Sequence, residues 1–321
     1  MKSISKQRTI DDIYFKLRNK VFTIDPSQIG LQSDQSYPVF GVLMETGYKD
    51  AVATLSAIGD GTVSLYFSNG GGIIGLGEHQ QPRDTCFSYI SLANELISQL
   101  QPTKKFPIPE EGRIIFYFLT INGVLMANAK ENDLIKNLLP LSPLYHKAHE
   151  VITEARLVDE KRKRDIHELL NAATTGEVSK VKLLIEKGIN LNVSDETGLN
   201  ALMSASHRGH VEILKLLLDA GVSIDAKDSL GYTALMFSCN SGKLSCASYI
   251  IDNGANVNEV DNDGSTPIMF CTQHGYNDVV QLLLEKGADP TIKGTHGLSA
   301  ISFAQQNGLN ETLKILQEKD A

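Results

Sequence analysis

DETGLNALMSASHRGHVEILKLLLDAGVSIDAK (residues 195–227), DSLGYTALMFSCNSGKLSCASYIIDNGANVNEV (228–260) and DNDGSTPIMFCTQHGYNDVVQLLLEKGADPTIK (261–293) are one sequence motif written three times. Gly198, Gly231, Gly264 and Gly297 recur every 33 residues, as do Gly176, Gly209, Gly242, Gly275 and Gly308, and Gly188, Gly221, Gly254 and Gly287. Three glycine columns at one period are the mark of a repeat architecture. Between them the apolar residues fall at helical spacing, as in Val211, Leu214, Leu217 and Leu218, then in Val279, Val280, Leu283 and Leu284. Each unit therefore reads as two short helices. The column Leu184, Leu217, Ile250, Leu283 and Leu316 stays apolar because one helix pair buries that side against the next. Glycine just past a helix suits its left-handed end, and Asp195, Asp228 and Asp261 suit the turn that opens each unit.

The spacing resembles the ankyrin repeat, whose signature T-P-L-H-x-A survives best as Thr266-Pro267-Ile268-Met269. The resemblance implies an all-α solenoid over 165–321, with about five repeats and divergent, capping first and last units. It also implies the work of holding a partner protein through turn tips and the exposed side of each first helix. On matching positions that surface is Glu196, Thr197, Leu199, His207 and Arg208, then Leu230, Tyr232, Asn240 and Ser241. It continues with Asn262, Asp263, Gln273 and His274, and ends at His296 and Leu298. Leu199, Leu230, Tyr232 and Leu298 are apolar or aromatic at turn positions that bury nothing inside a repeat, so a partner accounts for them. The signature histidine, which ties neighbouring turns in the family, is replaced by Met203, Met236 and Met269, which predicts softer turns.

The 321 residues leave room for a second domain before the repeats. No run approaches the ~18 apolar residues of a membrane helix, and MKSISKQRTIDD lacks a signal-peptide core, so a cytoplasmic location is expected. Cys86, Cys239, Cys246 and Cys271 show no C-x-x-C spacing and read as reduced, packed thiols. The net charge of −8 is uneven. Residues 1–150 hold 14 basic and 15 acidic side chains, whereas 165–321 hold 11 and 20, a net −9. An acidic array disfavours nucleic acid and membrane headgroups and favours a basic protein partner.

Residues 1–142 read as an α+β domain, an antiparallel sheet with helices, and 143–164 as a helical linker. Ile10, Ile13, Tyr14, Leu17 and Val21 share one face of a first helix, with Thr9 and Asp12 as a capping box. Val39–Thr46, Ala51–Ile58, Thr62–Ser68 and Gly71–Leu76 read as a four-stranded meander. Asp60-Gly61 and Asn69-Gly70 mark tight turns in which both central residues take positive φ. Cys86, Ile90, Ala93, Ile97 and Leu100 mark a helix that Pro82 opens, and Pro102, Pro107 and Pro109 mark a loop. A hairpin over Arg113–Thr120 and Val124–Ala129 turns at Asn122-Gly123. The pattern is helical from Glu131, broken by Pro140 and Pro143, and Asp165 with Glu168 predicts a fresh, capped start for the first repeat. Residues 38–130 are also similar to a segment of uncharacterised bacterial proteins, through Gly41-Val42-Leu43-Met44 and the run from Ser64 to Gly72, which points to a bacterial source.

Three other signals have plainer readings beside the functional ones. Gly70, Gly72 and Gly75 satisfy G-x-G-x-x-G, but inside a hairpin rather than a parallel βαβ unit. Glycines that let strands bend are preferred there. The alternative is an anion site of Gly70, Gly72, Gly75, His79 and Arg83 at a helix N-terminus. His146 and His149, with Glu150, have chelating spacing but lack a third ligand, and read as surface side chains. Lys161-Arg162-Lys163-Arg164, flanked by acids, reads as a solvated helix end rather than a nucleic-acid patch. No nucleophile elbow, paired catalytic carboxylates, metal site or cofactor fingerprint is evident, which favours a non-enzymatic interaction protein of the bacterial inhibitor or immunity type. The rival is an enzyme or small-molecule sensor in the N-terminal domain that the repeats target.

Overall fold

Strand β1 (Val39–Gly47) is buried along its whole length, which suits a central strand covered on both faces. It lies between β2 (Val52–Ile58) and β6 (Arg113–Thr120) in an antiparallel sheet of seven. With β3 (Val63–Phe67), β4 (Gly72–Ile73), β5 (Gln101–Thr103) and β7 (Gly123–Lys130) the order is β4-β3-β2-β1-β6-β7-β5. The computed structural model describes residues 13–29, 39–73 and 80–317. It divides into two compact units, Met1–Lys161 and Arg162–Ala321.

The meander and second hairpin have the expected order, but their turns differ from expectation. Gly61 and Gly70 take φ of +91° and +106°, whereas Asp60 and Asn69 keep negative φ. Ile58 pairs with Thr62, and Phe67 with Gly71, across three-residue loops. A type I turn followed by one left-handed glycine gives this geometry; in the second hairpin Gly71, which closes the loop, is left-handed too at φ +83°. Strand β5 lies where a loop was expected. Its partner, β7, is about 20 residues away, and Pro102 is tolerated because β5 is an edge strand.

Helix α2 (Gln80–Leu96) begins two residues before Pro82, which sits harmlessly in the first turn. Its buried Cys86, Tyr89, Ile90 and Ala93 pack on one sheet face with Val42, Met44, Leu55, Phe116 and Phe118. A short helix, α3 (Glu131–Ile135), precedes α4 (Ser142–Thr175), where Pro143 opens the helix instead of breaking it. Leu144, Ala148, Val151 and Ala155 of α4 join the same core.

Helix α1 spans residues 13–22 and covers the opposite face; Thr9, Ile10 and Asp12 lie outside the described residues. Tyr14, Leu17 and Val21 of the expected face pack inward, but Ile13 is 53% exposed, and the buried side also takes in Arg18. Arg18 Nε and Nη2 donate to Glu45 Oε1 and Oε2 at 2.6 and 2.9 Å, and Nη2 also donates to the carbonyls of Phe106 and Pro107. Burial alone would lower the guanidinium's pKa, but Glu45 outweighs it and holds Arg18 above its ordinary value. The Tyr14 hydroxyl meets Thr54 Oγ1 at 3.0 Å, and burial pushes this phenol up to about 12. The apolar residues of α1 mark most of its buried side but not the buried charge beside them.

In the second unit the helices form two rows. Helices α6 (Ala201–Arg208), α8 (Ala234–Asn240), α10 (Pro267–His274) and α12 (Ala300–Gln306) stack in one. Helices α5 (Val178–Glu186), α7 (Val211–Asp219), α9 (Leu244–Asp252), α11 (Asn277–Glu285) and α13 (Asn310–Gln317) stack in the other. The expected fresh start at Asp165 is absent: α4 runs through it, and Leu169, Ala172 and Ala173 of its last turns serve as the first helix of the first pair. Leu184, Leu217, Ile250, Leu283 and Leu316 are all fully buried, each worth about 1.5–3 kcal/mol of transfer free energy. All four cysteines are free and buried.

Candidate partner-binding surface

The hairpin tips that open at Asp195, Asp228 and Asp261 are each built by that aspartate, whereas Gly294 takes its place in the last unit. Asp195 Oδ1 accepts from the amides of Thr197 and Leu199 at 2.8 and 3.1 Å. Asp228 Oδ1 does the same for Leu230 and Tyr232 at 2.9 and 2.8 Å, and Asp261 Oδ1 for Asp263 and Ser265 at 2.9 and 2.7 Å. An Asx turn thus recurs with the repeat. Consecutive tips are then joined by backbone bonds: Ser229 N–H to Thr197 C=O at 2.8 Å, Asn262 to Leu230 at 3.0 Å, and Thr295 to Asp263 at 2.7 Å. These approaches need the glycine column, because a Cβ on Gly198 or Gly231 would stand 2.8 or 2.7 Å from the backbone of the next tip.

The softness expected from losing the signature histidine is therefore offset. The tips are tied by main chain, and Met236 takes over part of the cap: its Sδ accepts from the Thr233 amide at 3.4 Å while Thr233 Oγ1 accepts from the Met236 amide. Ser302 does likewise with an oxygen, accepting from the Ser299 amide at 2.7 Å. Asn200 caps α6 through its bond from the Met203 amide at 2.9 Å.

The residues carried over by resemblance divide into two sets. Glu196, Thr197, Leu230, Asn262, Asp263 and His296 are exposed on the tips. His207, Arg208, Asn240, Gln273 and His274 are exposed, and Ser241 partly so, at or just past the ends of the first helices, where side chains bridge repeats. His207 Nδ1 meets Ser241 Oγ at 2.6 Å, and His274 Nε2 meets Asn240 Oδ1 at 3.0 Å. Partial burial, with Arg208 and Lys243 nearby, holds His207 below its usual pKa. His210, one turn on, is structural: its Nε2 lies 3.1 Å from the Thr174 carbonyl, and its ring fills the space Gly176 leaves.

The apolar turn residues need correction. Leu199 is half-buried and packs on the array core, and Leu298 is also half-buried, whereas Leu230 is 57% exposed. Tyr232 is likewise half-buried. Its ring lies edge-on to Phe237 at 6.0 Å and to Phe270 at 5.1 Å. Phe237, Phe270 and Phe303 occupy one position on α8, α10 and α12 and are all partly exposed. This aromatic column was not singled out from the sequence, although its 33-residue spacing is the very signal that revealed the glycines.

The remaining candidates lie as follows. Gly70 and Gly72 belong to the β3–β4 hairpin, and Gly75 and His79 lie outside the described residues. Arg83 packs its side chain against Gly61 and lays its guanidinium over Phe87 at 5.6 Å. His146 and His149 line a cleft of about 480 Å³ with Thr85, Glu150, Thr153 and Glu154. His146 Nε2 is held by Asn137 Oδ1 at 3.0 Å, and His149 stands edge-on to Tyr145 with its pKa lowered by burial. Among the described residues no three His, Cys, Asp or Glu side chains converge where a metal would sit. Lys161 to Arg164 are exposed in the middle of α4, not at a helix end. No helix among the described residues is long and apolar enough to cross a membrane.

No curated protein matches the chain. The family model described as "Ankyrin repeats (3 copies)" matches residues 124–228 and 223–294, more than half of the chain. Repeated Asx-turn tips, two rows of short helices and glycines that let successive tips nest are the physical content of that match. The chain belongs to the ankyrin-repeat family.

Proposed function

We propose that this protein is a non-enzymatic interaction protein whose array holds a basic protein partner across the hairpin tips and the exposed side of α6, α8, α10 and α12. Ankyrin repeats are generally protein–protein interaction modules, which gives the class of partner. The observation that carries the reading is Leu230, 57% exposed on a tip that two backbone bonds and an Asx turn hold in place. An ordered apolar side chain beside the half-buried Tyr232 suits an interface centre, because anchors work best where little must be ordered on binding. The net −9 of residues 165–321 supports a basic partner. The form we favour is a bacterial cytoplasmic inhibitor or immunity-type protein, since a basic, nucleic-acid-directed toxin suits such a surface.

The test is capture from the source cells with the wild-type chain and with Leu230→Ser, followed by stopped-flow association of the recovered partner at rising salt. Leu230→Ser is expected to weaken capture by at least ~2 kcal/mol if it is a central anchor. The on-rate is expected to fall as the Debye length shrinks from about 30 Å at 0.01 M to about 8 Å at 0.15 M. Undiminished capture by the variant overturns the surface, and an acidic partner or a salt-indifferent on-rate overturns the charge argument.

A further inference from the structure

The aromatic corner formed by Tyr232, Phe237 and Phe270 lies between the units that open at Asp228 and Asp261. Three rings meet there: Tyr232 is edge-on to Phe270 at 5.1 Å and to Phe237 at 6.0 Å, and each keeps some exposed surface. The corner is rigidly framed. The Tyr232 amide donates to Asp228 Oδ1 at 2.8 Å, its carbonyl accepts from the Asp228 amide at 3.1 Å, and Phe270 is carried on α10. Asp228, Asp261 and Asp263 stand on the two joined tips next to it. Burial first, and then the fields of Asp261, Asp228 and Asp263, raise the Tyr232 phenol above its ordinary value, so these charges bear directly on the ring.

The three carboxylates are not equivalent. Asp228 and Asp261 each commit Oδ1 to two amides of their own turn, whereas Asp263 is exposed on its tip and makes no ion pair among the described residues. Elsewhere this protein places its own cations on rings: Arg18 over Phe22 and Tyr117, Arg83 over Phe87, and Lys215 over Tyr249. Among the described residues no cation of the chain occupies Tyr232 or Phe270 in this way. The corner thus has π faces, a negative rim and no internal cation.

We propose that Tyr232 and Phe270, with Asp263 beside them, are the receptor for an arginine side chain that the partner presents at the gap between the 228–260 and 261–293 units. This rests on the array being the partner-binding element, and it names the chemistry of the contact. A guanidinium is planar enough to stack on an aromatic face and carries N–H donors at its edge for a carboxylate, whereas an ammonium is a strongly hydrated point charge without a stacking plane. The flanking Leu230 supplies the apolar contact for the stem of such a side chain.

The experiment selects a phage-displayed random dodecapeptide library on the full chain and measures the enriched peptides on three variants: Asp263→Asn, Phe270→Leu and Leu230→Ser. Expected are peptides with an arginine whose replacement by lysine weakens binding about three- to tenfold. Asp263→Asn and Phe270→Leu are each expected to weaken the same peptides by roughly two- to tenfold. Asp263→Asn changes an exposed side chain, so its result stands even if Phe270→Leu loosens the array. Peptides that Leu230→Ser weakens but that carry no arginine, or that ignore Asp263→Asn, overturn the arginine receptor and leave the array as the binding face. Peptides held by residues 1–161 and indifferent to all three variants overturn both.

Discussion

Replacing Gly231 by alanine separates two reasons for a glycine at this column, and Gly254→Ala is its control. Both glycines have left-handed backbones, at φ +85° and +95°. An L-residue in that region costs about 1–2 kcal/mol whatever surrounds it. At Gly254 nothing lies within 4 Å of the position a Cβ would take, so that strain is the whole expected effect. At Gly231 the Cβ would meet Asn262 N at 2.7 Å and Asp261 Cα at 3.0 Å, both main-chain atoms of the next tip. Relief requires the tips to part, which stretches the 3.0 Å bond from Asn262 N–H to Leu230 C=O. Overpacking of this kind adds about 1–3 kcal/mol, for a total of about 2–5 kcal/mol. A two-unit repeat protein need not unfold in one transition, so the assay is hydrogen exchange by mass spectrometry, which reads local opening. Relative to wild type, peptides over 228–266 in Gly231→Ala are expected to be accelerated at least about fivefold more than peptides over 244–260 in Gly254→Ala, since ~1.4 kcal/mol is a factor of ten. Equal acceleration in the two variants would falsify the nesting of tips as the reason for the column.

Three further outcomes follow from the cores and the buried charge. Leu217→Ala is expected to cost about 2–5 kcal/mol by opening a cavity in the array core, read as faster hydrogen exchange across the array helices, while leaving α2 and the sheet with wild-type exchange. Arg18→Met leaves the fully buried Glu45 carboxylate with a 3.3 Å contact from Thr54 Oγ1 in place of its guanidinium. A loss of about 3–5 kcal/mol is expected, with the double variant Arg18→Met/Glu45→Leu recovering part of it; a double variant no better than the single one contradicts the account. Burial pushes the Cys86 and Cys246 thiols up to about 12 and about 11. Iodoacetamide at pH 8 is therefore expected to label them only after unfolding, because the thiolate is the nucleophile. Their folded pKa values lie above the unfolded value, so their contribution to stability is complete below about pH 8.5 and is lost as pH rises towards 11–12.

The array was legible in the sequence because its information is local and repeated. Asp228, Gly231, Leu217 and Ile250 each act within one unit or against the unit 33 residues away, so periodicity alone places them, and the same period marks Phe237, Phe270 and Phe303. The hairpins were legible for the same reason, since Asp60-Gly61 and Asn69-Gly70 fold on their neighbours. What tertiary structure decided is whatever depends on partners far along the chain. Arg18 became a core residue because it meets Glu45 across the sheet, and no helical periodicity marks a buried charge. Strand β5 exists because β7 offers an edge, and three residues containing Pro102 have no strand signal of their own. Helix α4 runs through Asp165 because its first half packs on the sheet core and its last turns on the array core, so the local capping signal is overruled. Leu199 and Leu230 are both turn leucines but occupy different columns of the repeat, Leu199 with Tyr232 and Leu298, Leu230 with Thr197 and Asp263. The period separates the columns, but only the stacked units show that the first is half-buried, with Leu199 on the array core, and that Leu230 in the second is exposed.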